Sequence, residues 1–225
     1  ANSASELQQI INGAQDGEET VINIGSDIDL GLGGIILSTR AEDPAYGILV
    51  SANKVITLDL CGKALSMTKE CSTSFSMIEN NGTLKIVDTK GGGKISFTDT
   101  SAGGSDDWGS YTITNKGTLE VSDVTIEHLG STGNWGDDRP TNIPIQNYAG
   151  KVTVNSGVIS SPMFRSLRDF TAGGEIIING GEFKGQVWMQ GLGSGSSSLT
   201  INGGEFAPTA GYDGSSIFIT NGTND

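Results

Sequence analysis

The chain has 225 residues, a formal net charge of −13 and a hydrophobic content of 35%. The charge argues against binding to nucleic acid or to an anionic membrane surface, because both interactions depend on Lys and Arg side chains. The sequence contains no run of about 18 apolar residues, so we expect no transmembrane helix and no insertion into a membrane.

Residues 1–17 have the pattern of one amphipathic helix. Ser3 and Glu6 have the spacing of a capping box, in which both side chains bond to backbone N–H groups at the helix N-terminus. Apolar side chains then recur on one helical face, at Leu7, Ile10, Ile11 and Ala14. We expect this helix to cap the first strands of a second region, 18–225. A helix that mediates assembly is the alternative.

A short apolar unit repeats along the region 18–225. Two near copies, Glu175–Phe183 and Ser198–Phe206, each contain two alternating apolar residues, an Asn-Gly-Gly turn and a returning Phe. The alternating pairs recur at intervals of 23 to 36 residues: Ile22/Ile24, Leu58/Leu60, Leu84/Ile86, Leu119/Val121, Val152/Val154, Ile176/Ile178 and Leu199/Ile201. The returning residues are Leu65, Ile95, Ile126, Ile159, Phe183 and Phe206. Each repeat therefore predicts two short strands separated by a turn.

A third apolar position precedes most of these pairs. Ile78 precedes Leu84 by the same six residues that separate Ile113 from Leu119. In the later repeats this third apolar position is occupied by Ile145, Phe170 and Met189. Three short strands per repeat, with many β-branched residues, predict a β-solenoid rather than a helical one.

The strand periodicity and the Asn-Gly turns together resemble the right-handed parallel β-helix of the pectate-lyase-like superfamily, over roughly residues 18–222. The resemblance implies an all-β fold built from three-strand coils, here with an N-terminal capping α-helix. Many secreted bacterial surface proteins look like this. We also expect Asn155, Asn179 and Asn202 to form a short ladder of buried amides inside one turn position, hydrogen-bonded to backbone.

The last unit is incomplete in the sequence. Residues 217–223 match the approach to another apolar pair, but that pair does not follow before Asp225. We therefore expect the solenoid to be truncated or uncapped at its C-terminal end. The chain would be a fragment of a longer protein, or another element would cover that end.

Two long loops in neighbouring repeats are the strongest candidates for a binding site. Residues 100–110 and 130–142 each carry a Trp and a pair of Asp, and equivalent loops of a solenoid lie side by side. The candidate ligand-binding residues are Trp108, Trp135, Asp106, Asp107, Asp137, Asp138 and Arg139. Flat rings and polar groups suit a glycan, and the four aspartates give a weaker case for calcium. The alternative is that the tryptophans anchor the loops and the aspartates are solvated turns.

Other chemically distinctive residues give weaker signals. Arg165, Arg168 and Asp169 form a second polar cluster, for which a structural salt bridge is the simplest interpretation. His128 is the only histidine, so we expect a structural role and no His-based metal site. Two interpretations stay open for the cysteines: Cys61 and Cys71 could form a disulfide, or both could be free thiols.

The sequence favours a secreted or cell-surface binding module, adhesin-like and without catalysis, whose partner is a glycan or a host surface molecule. The alternative is a polysaccharide lyase or glycoside hydrolase of the β-helix type, although no Gly-His-Gly or Arg-x-Lys signature accompanies the aspartate pairs. A third interpretation is a piece of a phage fibre or tailspike, which would trimerise. No cofactor other than calcium is predicted.

Overall fold

The structure is a computed structural model that describes residues 1–31, 45–71, 73–101, 109–130, 142–190, 197–207 and 215–219. Within these ranges the chain is all-β apart from one N-terminal helix, α1 (Ala4–Gly13). The strands are β1 (Glu19–Asn23), β2 (Ile28–Asp29), β3 (Ala45–Val50), β4 (Val55–Asp59), β5 (Ala64–Lys69), β6 (Phe75–Asn80), β7 (Thr83–Val87), β8 (Lys94–Asp99), β9 (Ser110–Asn115), β10 (Thr118–Ser122), β11 (Val124–Leu129), β12 (Ile143–Tyr148), β13 (Lys151–Val154), β14 (Gly157–Thr171), β15 (Glu175–Ile178), β16 (Glu182–Met189), β17 (Ser198–Ile201), β18 (Glu205–Ala207) and β19 (Ile217–Ile219).

One sheet stacks the first strand of each repeat, and we call it the first column. Its seven strands follow the order β1-β4-β7-β10-β13-β15-β17, and each neighbouring pair is parallel. One continuous line of apolar side chains crosses it in register: Ile56, Leu84, Leu119, Val152, Ile176 and Leu199. The prediction that these aliphatic residues stack on one another is confirmed from Leu84 onward.

A second sheet of twelve strands contains two further columns that meet in the long strand β14. The second column runs through β2, β5, β8 and β11, and the third through β3, β6, β9 and β12. The N-terminal part of β14 pairs with β11 and its C-terminal part with β12, and β16 continues both columns. Successive repeats therefore lie on top of one another with parallel strands, in a solenoid-like arrangement around one hydrophobic core.

The second column confirms the predicted returning residues. Each one lies directly opposite the next in the parallel register: Leu65, Ile95, Ile126, Ile159, Phe183 and Phe206. Phe183 and Phe206 stack with ring centroids 5.1 Å apart and planes 12° from parallel. The near-identical sequences of the last two repeats therefore form near-identical layers.

Two predicted alignments are wrong by a short slip. In the first column Leu58 aligns with Ile86 and with Ile22. The predicted positions Ile22/Ile24 and Leu58/Leu60 must therefore each be shifted two residues towards the N-terminus to align with Leu84/Ile86. In the third column the residues that follow Ile145 in register are Leu167 and then Val187, where Phe170 and Met189 were expected.

Helix α1 packs against the terminal strands β1 and β3. Ser3 caps it, and its Oγ accepts a hydrogen bond from Glu6 N at 3.2 Å. The buried Gln8 side chain bonds to β3 at both ends: its Nε2 donates to Leu49 O at 3.0 Å, and its Oε1 accepts from Leu49 N at 2.9 Å. The helix thus satisfies backbone groups at the edge of the sheet, which would otherwise be open to pairing with another chain.

A buried ladder of amides crosses the inner side of the third column. Asn80 Nδ2 donates to Asn115 Oδ1 at 2.7 Å, Asn115 Nδ2 donates to Asn147 Oδ1, and Asn147 Nδ2 donates to Asp169 Oδ1, both at 2.8 Å. All four side chains have 0% exposure. The ladder pairs polar groups that would be costly to bury alone, and it ends on a carboxyl group.

The predicted ladder at the turn after the first column is also present. Asn179 Nδ2 donates to Asn155 Oδ1, and Asn202 Nδ2 donates to Asn179 Oδ1, both at 2.8 Å. Contrary to the expectation of a buried ladder, these bonds are exposed to solvent and join one side chain to the next.

Both cysteines are free thiols. Burial raises the pKa of the Cys71 thiol to about 12, and the nearby Asp99 carboxylate adds to the rise. Cys71 is therefore a core residue rather than a reactive thiol.

Candidate functional site

The outer side of the third column carries the strongest candidate site among the described residues. Tyr111, Ile143 and Trp188 are only 7%, 0% and 4% exposed, yet they do not belong to the continuous hydrophobic core. Outward side chains of a solenoid normally face water and carry its function. A buried outward row is therefore the feature that needs a functional explanation.

Two parallel rows of side chains make up this surface, which we call the outer face. The register aligns the first row as Tyr46, Ser76, Tyr111 and Ile143. It aligns the second row as Glu79, Thr114, Gln146, Arg168 and Trp188. Neighbours in a row are one strand spacing apart, about 4.8 Å, so residues distant in sequence meet here.

Trp188 lies on the outer face beside Phe218 of β19, with two arginines over its ring. The guanidinium carbon of Arg165 lies 3.7 Å from the ring centroid and that of Arg168 lies 4.5 Å from it. Arg168 also lies 4.2 Å from the Phe170 ring, and both its Nε (3.0 Å) and its Nη2 donate to Gln190 Oε1. Stacking fixes these planar cations in place, and both are nearly buried, at 2% and 7% exposure.

A cavity of about 270 Å³ opens beside this cluster, lined by Ser74, Ser76, Tyr111, Thr114, Lys116 and Tyr148. Its volume lies near the lower limit of small-molecule sites, about 300–1,000 Å³. Lys116 Nζ forms an ion pair with Glu79 Oε1 at 3.0 Å. Ser76 Oγ and Thr114 Oγ1 share a hydrogen bond of 2.6 Å.

The two tyrosines of the cavity are coupled to each other and to the arginines. Burial raises the pKa of the Tyr111 phenol, its interaction with Tyr148 raises it further, and Arg168 and Arg165 oppose the rise. Tyr111 therefore remains a neutral hydrogen-bonding group at physiological pH. The Tyr148 ring also packs edge-on against Phe170, at 5.4 Å between centroids.

Polar side chains on the outer face, among them Gln146 and Trp188, have buried atoms without a hydrogen-bond partner in the described structure. Both amide atoms of Gln146, Nε2 and Oε1, are in this state, and so is Trp188 Nε1. Gln146 is 0% exposed. Leaving such groups unpaired costs roughly 1–3 kcal/mol each.

The arginine and aspartate cluster expected from the sequence divides between two surfaces. Arg165 and Arg168 lie on the outer face against Trp188, whereas Asp169 accepts a hydrogen bond from Asn147 in the inner ladder. Arg168 and Asp169 are adjacent in β14, and neighbouring strand residues point to opposite sides. The inner ladder, rather than the expected salt bridge, therefore holds Asp169.

The loop residues predicted to bind a ligand lie outside the described residues. They are Trp108, Trp135, Asp106, Asp107, Asp137, Asp138 and Arg139. What the structure describes is the chain that flanks these loops, where a buried polar network joins both repeats. Ser110 Oγ lies 2.7 Å from Asp99 Oδ2, 3.1 Å from His128 Nε2 and 2.8 Å from Asn142 Oδ1.

His128 belongs to this buried network. Its ring packs edge-on against Phe97, at 4.9 Å between centroids, and the side chain is 0% exposed. Burial lowers the pKa of His128 to about 3, although the Asp99 carboxylate opposes the shift. A neutral, inaccessible imidazole fits the predicted structural role.

The described residues include no cluster of three or more His, Cys, Asp or Glu that could hold a metal ion. In the same ranges, no helix is both long and apolar enough to span a bilayer. Comparison with known proteins gives no further guide, because no family model, curated protein or solved structure matches this chain.

Sequence reasoning missed the outer face and the inner ladder. The ladder had a visible signal, because the aligned third strands share an apolar-x-Asn pattern at Ile78–Asn80, Ile113–Asn115 and Ile145–Asn147. The outer face had no such signal, since its residue types differ from repeat to repeat. Only the register shows that they are neighbours.

Proposed function

We propose that this chain is a right-handed parallel β-helix of the pectate-lyase-like type, and that it is a secreted or cell-surface glycan-binding module, adhesin-like and without catalysis. The three columns of parallel strands support the fold. The observation that carries the function is the outer face, where Tyr, Ser and Thr side chains and Lys116 line one cavity and two arginines stack on Trp188.

Each part of the outer face matches a feature of a sugar. Aromatic rings cover the apolar face of a pyranose, and Tyr148 presents a half-buried ring at the cavity wall. Ser, Thr and Tyr hydroxyls and Lys116 at the cavity offer donors and acceptors for ring hydroxyls. A neutral Tyr111, and a Glu79 that is already paired with Lys116, favour binding over acid–base catalysis.

A glycan array tests this proposal. We expect the native protein to bind a defined subset of glycans and Tyr148→Ala to lose most of that binding. Val21→Ala, at an exposed apolar position of the first column, is the control that should bind as the native protein does. Absence of any glycan hit, or equal hits for Tyr148→Ala, would contradict a glycan site at the outer face.

A second variant on the same glycan array tests the loop site predicted from the sequence. The double variant Trp108→Ala/Trp135→Ala removes both predicted loop rings and substitutes no residue of the outer face. Loss of binding in this variant alone would place the glycan at the loops, and loss in both would indicate one extended site.

A polysaccharide lyase is the second candidate, and one observation favours it. Lys116 and two tyrosines, side chains that can move protons, line the same cavity. Incubation with uronic-acid polymers tests this activity, since β-elimination forms unsaturated products that absorb in the ultraviolet. Product formation by the native protein that is lost in Lys116→Met would establish the enzyme and remove the non-catalytic proposal.

A further inference from the structure

The cavity on the outer face crosses the strands instead of following one of them. Its lining residues come from β6 and the residue before it, from β9 and the residue after it, and from β12. These three strands are consecutive in the third column, so the cavity spans two strand spacings, about 10 Å, along the stack. A ligand that fills the cavity therefore contacts three repeats.

Accessible aromatic surface continues from the cavity in the same direction. The Tyr148 ring packs against Phe170 on the next strand, β14, and both rings are half-buried. Two strands further along the stack, Phe218 lies in register with Trp188, at 6.2 Å between centroids, and is 39% exposed. We call Tyr148, Phe170 and Phe218 the aromatic track. From β12 to β19 it crosses three strand spacings, about 14 Å.

The charges at the cavity favour an uncharged ligand. Lys116 is the one charged side chain in the described lining of the cavity, and Glu79 already pairs with it at 3.0 Å. In that lining no unpaired cation is left for a carboxylate or sulfate group of a ligand. The net charge of −13 also repels polyanions at long range.

We infer that the cavity and the aromatic track together bind one extended, uncharged, β-1,4-linked glucan chain that runs along the stack. The inference rests on the proposed glycan-binding function and adds the class of glycan. The strand spacing of about 4.8 Å is close to the length of one glucose unit in such a chain, so successive sugar rings meet successive repeats. A β-1,4-linked chain is straight enough to follow a row of strands, whereas an α-1,4-linked chain curves away from it.

The test is calorimetric titration with cellobiose, cellotetraose and cellohexaose. The native protein should bind cellohexaose at least tenfold more tightly than cellobiose, because only the longer chain reaches from the cavity to the Phe218 ring. Phe218→Ala and Phe218→Leu should each lose most of that gain and bind cellobiose as the native protein does. Ile219→Ala should bind every oligomer as the native protein does, since Ile219 is the 67% exposed neighbour on the same strand and points to the opposite side.

Two further series of the same lengths test the shape and the charge of the ligand. Malto-oligosaccharides have the same sugar in α-1,4 linkage, and oligogalacturonides carry a carboxylate on every unit. Both series should bind at least tenfold more weakly than the cello-oligosaccharides.

Several outcomes would overturn the inference and leave the glycan proposal intact. They are an affinity that does not rise with chain length, an equal loss of cellobiose and cellohexaose binding in Phe218→Leu, and a malto or galacturonide series that binds as tightly as the cello series. Hits on the glycan array without binding of any cello-oligosaccharide would have the same meaning. Binding of none of the three series, together with an empty glycan array, would remove both proposals.

Discussion

The carboxyl group at the end of the inner ladder makes a sharp prediction, because the other three members of the ladder are amides. Asp169 Oδ1 accepts from Asn147, but Oδ2 is buried without a donor in the described structure. Ser197 lies close enough to lower the pKa of Asp169, yet its hydroxyl proton is directed to Thr171 O at 3.3 Å. Asp169→Asn would place an N–H₂ group where it can donate to the Ser197 oxygen.

The expected gain follows from the cost of a buried unpaired acceptor. Such a group costs about 1–3 kcal/mol, so Asp169→Asn should stabilise the protein by about that amount at neutral pH. For a chain of this size each kcal/mol corresponds to roughly 2–4 °C in the unfolding temperature. Most substitutions of buried residues destabilise, so even a small gain here would be informative.

The gain should also depend on pH with a definite sign. Burial raises the pKa of Asp169 above its ordinary value of 3.8, while the nearby Ser197 hydroxyl and the Asn147 hydrogen bond lower it less. Between those two pKa values the native state binds more protons than the unfolded state, so stability falls as the pH rises through that window. The advantage of Asp169→Asn should therefore be small below pH 3.8 and complete above the raised pKa.

Urea unfolding of both proteins across the acidic range and at neutral pH measures this difference. Asp123→Asn is the matched control, since it makes the same change in net charge at an exposed position. A loss of stability in Asp169→Asn at neutral pH, or a difference that does not vary with pH, would refute the reasoning.

Three further predictions follow from the packing. Gly117→Ala should lower the free energy of unfolding by about 1–3 kcal/mol, because a Cβ there would lie 2.0 Å from a backbone oxygen. Gly13→Ala is its control in the same urea assay, since a Cβ at that position would have no other atom within 4 Å. Asn115→Leu should lower the free energy of unfolding by about 2–5 kcal/mol, because it breaks the buried ladder. Asn179→Leu, in the exposed ladder, should change it by less than about 0.5 kcal/mol. Equal losses of stability in the two variants would contradict the role of burial. The pKa of His128, lowered to about 3, predicts that the imidazole NMR signals of this single histidine stay unchanged between neutral and mildly acidic pH, and a titration near 6.5 would contradict its burial.

The first column shows how much of this fold a period-two pattern can predict. The stack from Leu84 to Leu199 was predictable because each pair is followed within two residues by Asp or Asn, which favours a turn at the end of the strand. In the earlier repeats, Ile24 and Leu60 are also buried, at 1% and 0% exposure, so three alternating residues point inward. A slip of two residues preserves the alternation, and the pattern alone therefore could not fix the register there.

The third column was harder to predict for a different reason. Its predicted positions were the apolar residues that come shortly before each first-column apolar pair, six residues before it for Phe170 and ten for Met189. In the later repeats the second and third strands instead merge into the long strand β14, and the register shifts within it. The aligned residues are then Leu167 and Val187, which precede the predicted Phe170 and Met189.

The outer face depends on long-range alignment and so could not be inferred from local sequence. Tyr148 and Trp188 look like isolated surface aromatics in the chain, yet one packs beside Phe170 and the other beneath two arginines. The strand register of three different repeats brings these aromatic residues next to Phe170 and the two arginines. A site of this kind is determined by the stack as a whole.

The inner ladder explains why that alignment is maintained. Neighbouring residues of one strand point to opposite sides, so Gln146 and Arg168 on the outside are fixed by Asn147 and Asp169 inside. A slip of one strand against the next would unpair buried amides, which apolar side chains alone would tolerate more easily. Substituting the buried ladder residue Asn115 should therefore weaken ligand binding at the outer face, although its side chain lies on the opposite side of the sheet. A ladder variant that unfolds more easily but binds with unchanged affinity would show that the outer face keeps its geometry without the ladder.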